Sequence, residues 1–477
     1  MGPLCGAQIA YFIPLGLESL VTLSKQLIGQ EPCNPVRGQD RNGMNRGYEA
    51  SRHPAFTSAP ERRAERHHFM MKLLCGFTLL LAVAVAYYIY IPLPREIPEQ
   101  WKLMVLDATF RGVVSMGDVA HSLGLSHSVH VINSAIVSFE SLVPITNQEI
   151  QTEDILFDGV HVRVYHPPGR KEKLRRAVMF IHGGGWALGA PKLGSYDSLC
   201  RLMAADLDAV VVTVDYRMAP DVHFPVQYEE CVQAAKHFLK PEVLAKYSVD
   251  PERVAVCGDS AGGNLAAAVA QRIGIDNSTS VKFKLQVLIY PVLQALDFNT
   301  ASYQQNHNVP ILYRRLMARF WLEYLDADPD LKHSIMMNKH TAQDQSLLSL
   351  NRSKLNWTNL LPKRVIKDYK PVFPLTGSPN ILKDVPALLD SRAAPLLASD
   401  EVLRMAPRAY ILTGEHDVLR DDGMMYARRL ELAGVSVTND HYEDGFHGCV
   451  SFAFWPLHFS VGIRAVHNYI AWLDEHL

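Results

Sequence analysis

Several signals that would assign a function class are scarce in this chain. Neither sign of charge is in excess: 47 Lys and Arg stand against 49 Asp and Glu in 477 residues, a formal net charge of -2. A polyanionic partner such as nucleic acid is therefore not indicated. Cysteine is sparse, 7 in all, with no C-x-x-C pair and no His/Cys group at metal-ligand spacing. That argues against a disulfide framework and against a bound metal. Cys200, Cys231, Cys257 and Cys449 are read as buried free thiols, since free cysteine is among the most buried residue types. An oxidising compartment would allow one bridge among them, but no pairing can be read from sequence. Internal repeats and low-complexity tracts are absent. What remains, 48% hydrophobic and 20% charged residues, is the composition of a globular chain long enough to bury a large core.

Long apolar runs are rare too, with one exception. From Leu73 to Ile91, "LLCGFTLLLAVAVAYYIYI", nineteen residues pass without a charge. As a helix rising about 1.5 Å per residue this is roughly 28 Å, enough to cross a bilayer core once. A cleaved signal peptide is the rival, because Ala82-Val83-Ala84 resembles a cleavage site. The run continues through Tyr87, Tyr88 and Tyr90, which suit a membrane interface, and some seventy residues precede it, so an uncleaved anchor over 71–92 is expected. Arg62, Arg63, Arg66 and Lys72 lie before it against Arg95 and Lys102 after it, which places the N-terminus in the cytosol and the body of the chain in a lumen. Three glycosylation sequons, at Asn277, Asn351 and Asn356, all fall on the luminal side. Residues 1–70 read as a separate cytosolic extension, largely disordered, rich in Arg, Asn, Gly and Pro over 31–68.

After the anchor, "WKLMVLDATFRGVVSMGDVAHSLGL" carries apolar residues at helical spacing, so residues 93–150 are expected to form N-terminal cap helices. Beyond about residue 150 short aliphatic runs alternate with helical stretches. The runs are "VHVRVY", "AVMFI", "AVVVTV", "RVAVC", "LQVLIY", "RAYIL" and "VSVTNDHY". Such alternation predicts an α/β domain over 151–477, a mostly parallel sheet with helices on both faces whose ligands bind at the carboxyl ends of the strands. The interval of about 295–385 breaks the alternation and is expected to form a helical cap.

Four motifs fall at predicted strand ends. "VAVC" leads into Gly258-Asp259-Ser260-Ala261-Gly262 and then a helix, the setting of a nucleophile elbow around Ser260. "AVMFI" leads into His182-Gly183-Gly184-Gly185, glycines that let backbone N–H groups approach a reacting oxygen; the amide of Ala261 would join this oxyanion hole. "RAYIL" precedes Asp417, and "VSVTNDHY" precedes His447, an acid and a base for a serine hydroxyl. Glu415, Asp421 and Asp422 are the rival acids, the latter two read as opening the next helix, where acids suit its dipole. His441, within the strand pattern, is read as structural.

Together "HGGGWALG", "DYRMAP", "GDSAGGN", "HDVLRDDG" and "DGFHGC" resemble the hormone-sensitive-lipase-like branch of α/β hydrolases, among them the arylacetamide deacetylase-like enzymes. The resemblance covers residues 71–477. It implies an endoplasmic-reticulum enzyme of single-pass type II topology with a luminal, glycosylated catalytic domain. Implied substrates are cholesteryl esters, acetylated ether lipids and other hydrophobic carboxylic esters, or else small aryl acetamides, with no cofactor. Ser260, His447 and Asp417 would then be nucleophile, base and acid. A non-catalytic binding module on the same fold would typically lack a triad member or the glycine loop, and this chain has both.

Overall fold

The computed structural model describes residues 59–169, 173–341, 351–372, 374, 376–378 and 380–477. The expected N-terminal tail falls mostly on residues 1–58, outside the described residues. From Ala59 the chain is helical: helix α1 (Ala59–Ile89) starts before the anchor expected from residue 71, because the Ala, Glu and Arg of "APERRAERHH" are good helix formers and Pro60 falls in the first turn, where it is tolerated. Within it Arg66–Ile89 is long and apolar enough to cross a membrane, with a mean hydropathy of 2.2 over an 18-residue window. The chain divides at Phe77 into two compact units, and the rest of the structure belongs to the second, Thr78–Leu477.

Eight strands form one sheet in the order β1-β2-β4-β3-β5-β6-β7-β8. They are β1 (Gln151–Phe157), β2 (Val160–His166), β3 (Arg175–Ile181), β4 (Ala209–Val214), β5 (Val249–Asp259), β6 (Leu285–Ile289), β7 (Arg408–His416) and β8 (Val437–Phe446). β1 and β2 run antiparallel at one edge and all the others are parallel. Seven of the eight follow the aliphatic runs. β1 was not foreseen, because only Phe157 of its seven residues is buried and no alternation marks it.

The period of two sorts the central strands onto two cores. Ala177, Met179 and Ile181 of β3 face one side with Val254 and Val256 of β5. Three helices cover that side: α5 (Val226–Phe238), α6 (Ala261–Ile275) and α8 (Arg420–Leu432). Val178 and Phe180 face the other side with Ala255 and Cys257, under α4 (Gly194–Asp206) and α9 (Ser460–His476). Register aligns the carboxyl ends: Ile181 lies opposite Gly258, Asp259 opposite Ile289 and Ile289 opposite Leu412. The loops leaving β3, β5, β7 and β8 therefore open at one edge of the sheet. Cys200, Cys231, Cys257 and Cys449 are buried and free.

Two helical pieces lie outside this alternation. One is the pair α2 (Gln100–Ser122) and α3 (Ser128–Glu140). The other is the long segment between β6 and β7, in which α7 (Arg314–Tyr324) is accompanied by short helical turns and, among the described residues, by no strand. Asp107 of α2 fastens the two together. Fully buried, it accepts hydrogen bonds from Arg111 Nε at 2.6 Å, from the amide of Ile311 at 3.4 Å and from the hydroxyl of Tyr313.

Candidate active site

Ser260 joins β5 to α6 with φ 53° and ψ -118°, a backbone conformation strained for a residue with a side chain. The turn closes only because its neighbours are glycines. A Cβ on Gly258 would stand 2.3 Å from the carbonyl oxygen of Gly262, and one on Gly262 would stand 2.0 Å from that of Ile181 and 2.5 Å from that of His182. α6 is thereby pressed against the end of β3. The serine amide donates to Ile289 O at 2.9 Å, which leaves the hydroxyl pointing at the loops beyond the strand ends.

There Ser260 Oγ lies 3.0 Å from His447 Nε2, and His447 Nδ1 lies 2.8 Å from Asp417 Oδ2. The second carboxylate oxygen of Asp417 accepts the Leu419 amide at 2.8 Å, and its backbone carbonyl accepts Asn306 Nδ2 at 3.0 Å. All three side chains are nearly buried, at 9%, 7% and 1% exposure for Ser260, His447 and Asp417. A serine, an imidazole and a carboxylate are thus in series, each on a loop from a different strand. The rival acids are engaged elsewhere. Glu415 accepts His441 Nε2 at 3.1 Å and Arg420 Nη1 at 2.6 Å. Asp421 pairs with Arg420 and accepts the Ser302 amide at 2.6 Å. Asp422 accepts the Leu293 amide at 2.9 Å and Gln294 Nε2 at 3.0 Å, and burial pushes its pKa up to about 8. Asp421 and Asp422 do stand in the first turn of α8, but they are fully buried and hold the segment after β6, a role beyond the dipole argument.

The glycine loop divides into an anchored half and a free half. The Gly183 amide donates to Asp259 Oδ1 at 2.8 Å and lies 3.0 Å from the Tyr196 hydroxyl, which itself donates to Asp259 Oδ2 at 3.2 Å. His182 is fully buried and stacks on Tyr216 at 4.4 Å between ring centres; its Nδ1 faces Gly183 O at 2.9 Å, and burial pushes its pKa down to about 4. His182 and Gly183 were expected among the oxyanion group. The Gly183 amide and His182 Nδ1 are engaged within the loop and its clamp, while His182 Nε2 is buried with no hydrogen-bond partner among the described residues. The amides of Gly184, Gly185 and Ala261 have no acceptor among the described residues. Gly184 and Gly185 adopt φ of 105° and 62°, and Phe320 of α7 sits where a Cβ on Gly185 would be, 2.5 Å away. Trp186 continues the loop by stacking flat on Tyr324 of α7 at 4.1 Å.

Sequence reasoning missed Asp259 as a loop clamp. Burial raises its pKa to about 6, and the Gly183 amide and the Tyr196 hydroxyl oppose that rise. The clamp was concealed because its partner lies 76 residues upstream. Together these groups can deliver a proton-poor serine hydroxyl to a carbonyl carbon and meet the resulting negative oxygen with backbone N–H groups.

The family described as having the alpha/beta hydrolase fold matches residues 178–353 and 339–451. Neutral cholesterol ester hydrolase 1 of Bos taurus is 54% identical over 401 residues, 84% of this chain and 98% of that protein. Arylacetamide deacetylase of Oryctolagus cuniculus is 43% identical over 399 residues, again 84% and 98%. Among solved structures, the thermostable carboxylesterase EstE1 is 28% identical with a TM-score of 0.54, over 73% of this chain and 97% of that one. A thermostable esterase from Pseudomonas putida ECU1011 is 26% identical with a TM-score of 0.55, over 77% and 97%. With relatives this similar over nearly their whole length, the chain belongs to the α/β hydrolase fold family, and within it is a carboxylic-ester hydrolase.

Proposed function

We propose that the protein is a membrane-anchored serine esterase of the endoplasmic reticulum that hydrolyses hydrophobic lipid esters through an acyl-enzyme. The observation that carries this reading is the unbroken series Ser260 Oγ, His447, Asp417, at 3.0 and 2.8 Å, beside three unengaged backbone amides. In the first step His447 Nε2 takes the serine proton as Oγ bonds to the ester carbonyl carbon. Asp417 stabilises the imidazolium, and Gly184, Gly185 and Ala261 donate to the oxyanion. Collapse of this intermediate breaks the bond to the alcohol oxygen, which leaves with the proton from His447. Water, deprotonated by the same imidazole, then attacks the acyl carbon and releases the acid. Every bond change is served by the protein's own groups.

Two observations support a lipid ester. The relatives at 51–54% identity are named neutral cholesterol ester hydrolase 1, and α1 is of membrane-spanning length and apolarity. Phe320, Trp321 and Tyr324 also pack against Gly185 and Trp186, which gives the glycine loop an apolar cover, although most cap aromatics serve ordinary packing. A second reading, amide hydrolysis of small aryl acetamides by the same residues, is favoured by the relatives named arylacetamide deacetylase. The luminal assignment rests on the basic residues that precede the apolar run within α1 and on the sequons, of which Asn277 and Asn356 are exposed and Asn351 is partly so.

Steady-state kinetics of the purified protein on cholesteryl oleate, an acetylated ether glycerolipid, a short aryl ester and an aryl acetamide test the substrate class. The expected order places the lipid esters first in kcat/KM, and a clear preference for the acetamide contradicts it. In the same assay Ser260→Ala is expected to lower kcat on the order of 10⁶-fold and Asp417→Asn about 10⁴-fold.

Asp259 should act through the loop it clamps. Asp259→Asn keeps an acceptor for Gly183 and should retain most of kcat, whereas Asp259→Ala should lose roughly 10-fold to 100-fold, approaching the cost of a lost oxyanion donor. Because the folded carboxyl titrates near 6, above its usual value near 3.8, ionisation costs the folded state more than the unfolded one. Wild-type stability relative to Asp259→Asn should therefore fall as pH rises from about 4 to about 6 and level off above that. Thermal unfolding across that range reads the difference, and parallel curves would remove the assignment.

For topology, endoglycosidase treatment of microsomes should increase gel mobility, and the triple variant Asn277→Gln, Asn351→Gln, Asn356→Gln should show no such change. External protease should leave the body intact in sealed microsomes. Its digestion there would overturn the luminal orientation.

A further inference from the structure

Where α1 ends, a cleft of about 460 Å³ opens between α2 and α7, and a second of about 560 Å³ adjoins it, with Tyr88, Arg111, Tyr313 and Arg315 common to both. The first also takes in Arg319 and Lys332. Four cations thus meet one carboxylate, Asp118. Their partners separate them into two kinds. Arg111 is a bracket: its Nε pairs with Asp107 at 2.6 Å, its Nη2 donates to Tyr88 O at 2.8 Å, and its guanidinium lies 4.6 Å from the centre of the Tyr88 ring. Arg319 pairs with Asp118 at 2.9 Å and bonds Ser128. Arg315 and Lys332, both exposed, have no carboxylate partner among the described residues, and the Arg315 guanidinium lies 5.3 Å from the Tyr313 ring centre. The cleft therefore carries an unneutralised positive charge, presented by a planar guanidinium suited to paired hydrogen bonds with phosphate oxygens.

We propose that this cleft binds the phosphate of an anionic membrane phospholipid, with Arg315 and Lys332 as its charge partners and Tyr88 and Tyr313 as its walls. Its position commits it to a lipid in the bilayer rather than a free anion. The tyrosines Tyr87, Tyr88 and Tyr90 line the second cleft at the C-terminal end of the apolar run, at the level where headgroups begin. The consequence for catalysis is geometric. α7 carries Arg315 and Arg319 into the cleft and Phe320 onto Gly185 of the glycine loop, so a headgroup held here sets the cap helix that adjoins the oxyanion site against the lipid surface. This inference rests on the membrane-anchored reading of α1.

The full chain reconstituted in nanodiscs of phosphatidylcholine, with or without phosphatidylserine, tests it by thermal unfolding. Phosphatidylserine should raise Tm by about 4 °C or more, the linkage expected of a ligand in excess over its Kd. Arg315→Gln combined with Lys332→Gln should abolish the rise, while Lys363→Gln combined with Lys367→Gln, also exposed cations, should keep it. Both double variants should hydrolyse a soluble aryl acetate at the wild-type rate, which shows that the fold is intact. No rise in wild type, or an equal loss in both double variants, overturns the site. An equal rise on adding inorganic phosphate to phosphatidylcholine discs overturns the lipid as its source. Resistance of the protein to carbonate extraction from microsomes reports on the anchor separately, so failure of one reading is not mistaken for failure of the other.

Discussion

The candidate active centre depends on one close approach, the N-terminal turn of α6 against the end of β3. Gly262 has no Cβ, so its backbone can lie where a methyl group would collide with the carbonyl oxygens of Ile181 and His182. That contact brings the strained serine turn and the glycine loop, which are far apart in sequence, to the same edge of the sheet. The bond from Asp259 to the Gly183 amide then locks them together. Strain at Ser260 is affordable only because both flanking strands are fully packed: Val254, Val256 and Cys257 on β5 and Met179, Phe180 and Ile181 on β3 have no exposed surface.

The same logic extends outward into the cap. Trp186 on Tyr324 and Phe320 on Gly185 place α7 directly over the loop. Three buried carboxylates hold the surrounding segments: Asp107 from α2, and Asp421 and Asp422 from α8. Each accepts backbone amides as well as side-chain donors, so each spans elements that share no sheet. Carboxylates of this kind are costly to bury and survive only with their donors in place, which makes the cap a consequence of specific pairing more than of apolar packing alone.

What could be read from the sequence follows from where the signals are local. β3, β5 and β7 are short continuous aliphatic runs, each followed directly by a motif, and the alternating run of β8 leads to the fourth, so the sheet and the placing of Ser260, Asp417 and His447 at its strand ends were legible. β1 was not, because an edge strand with one buried residue has no pattern to show. Nor was the division of the glycine loop, since whether an amide is free depends on a partner far along the chain. Gly183 looks the same as Gly184 until Asp259 and Tyr196 are placed. Asp107 is the clearest case: an acid on an amphipathic helix reads as a solvent residue, and only the fold brings Tyr313 and Ile311 to it.

The central claim is that Ser260 is activated by His447 next to unengaged amides, and covalent trapping tests it most directly. Incubation of the folded protein with a fluorophosphonate, followed by peptide mass spectrometry, should place a single phosphonyl adduct on the peptide containing Ser260. The adduct should form far more slowly in His447→Ala, in which the hydroxyl remains but its base is gone. A folded wild-type protein that stays unmodified, or an adduct on another serine, would contradict the account.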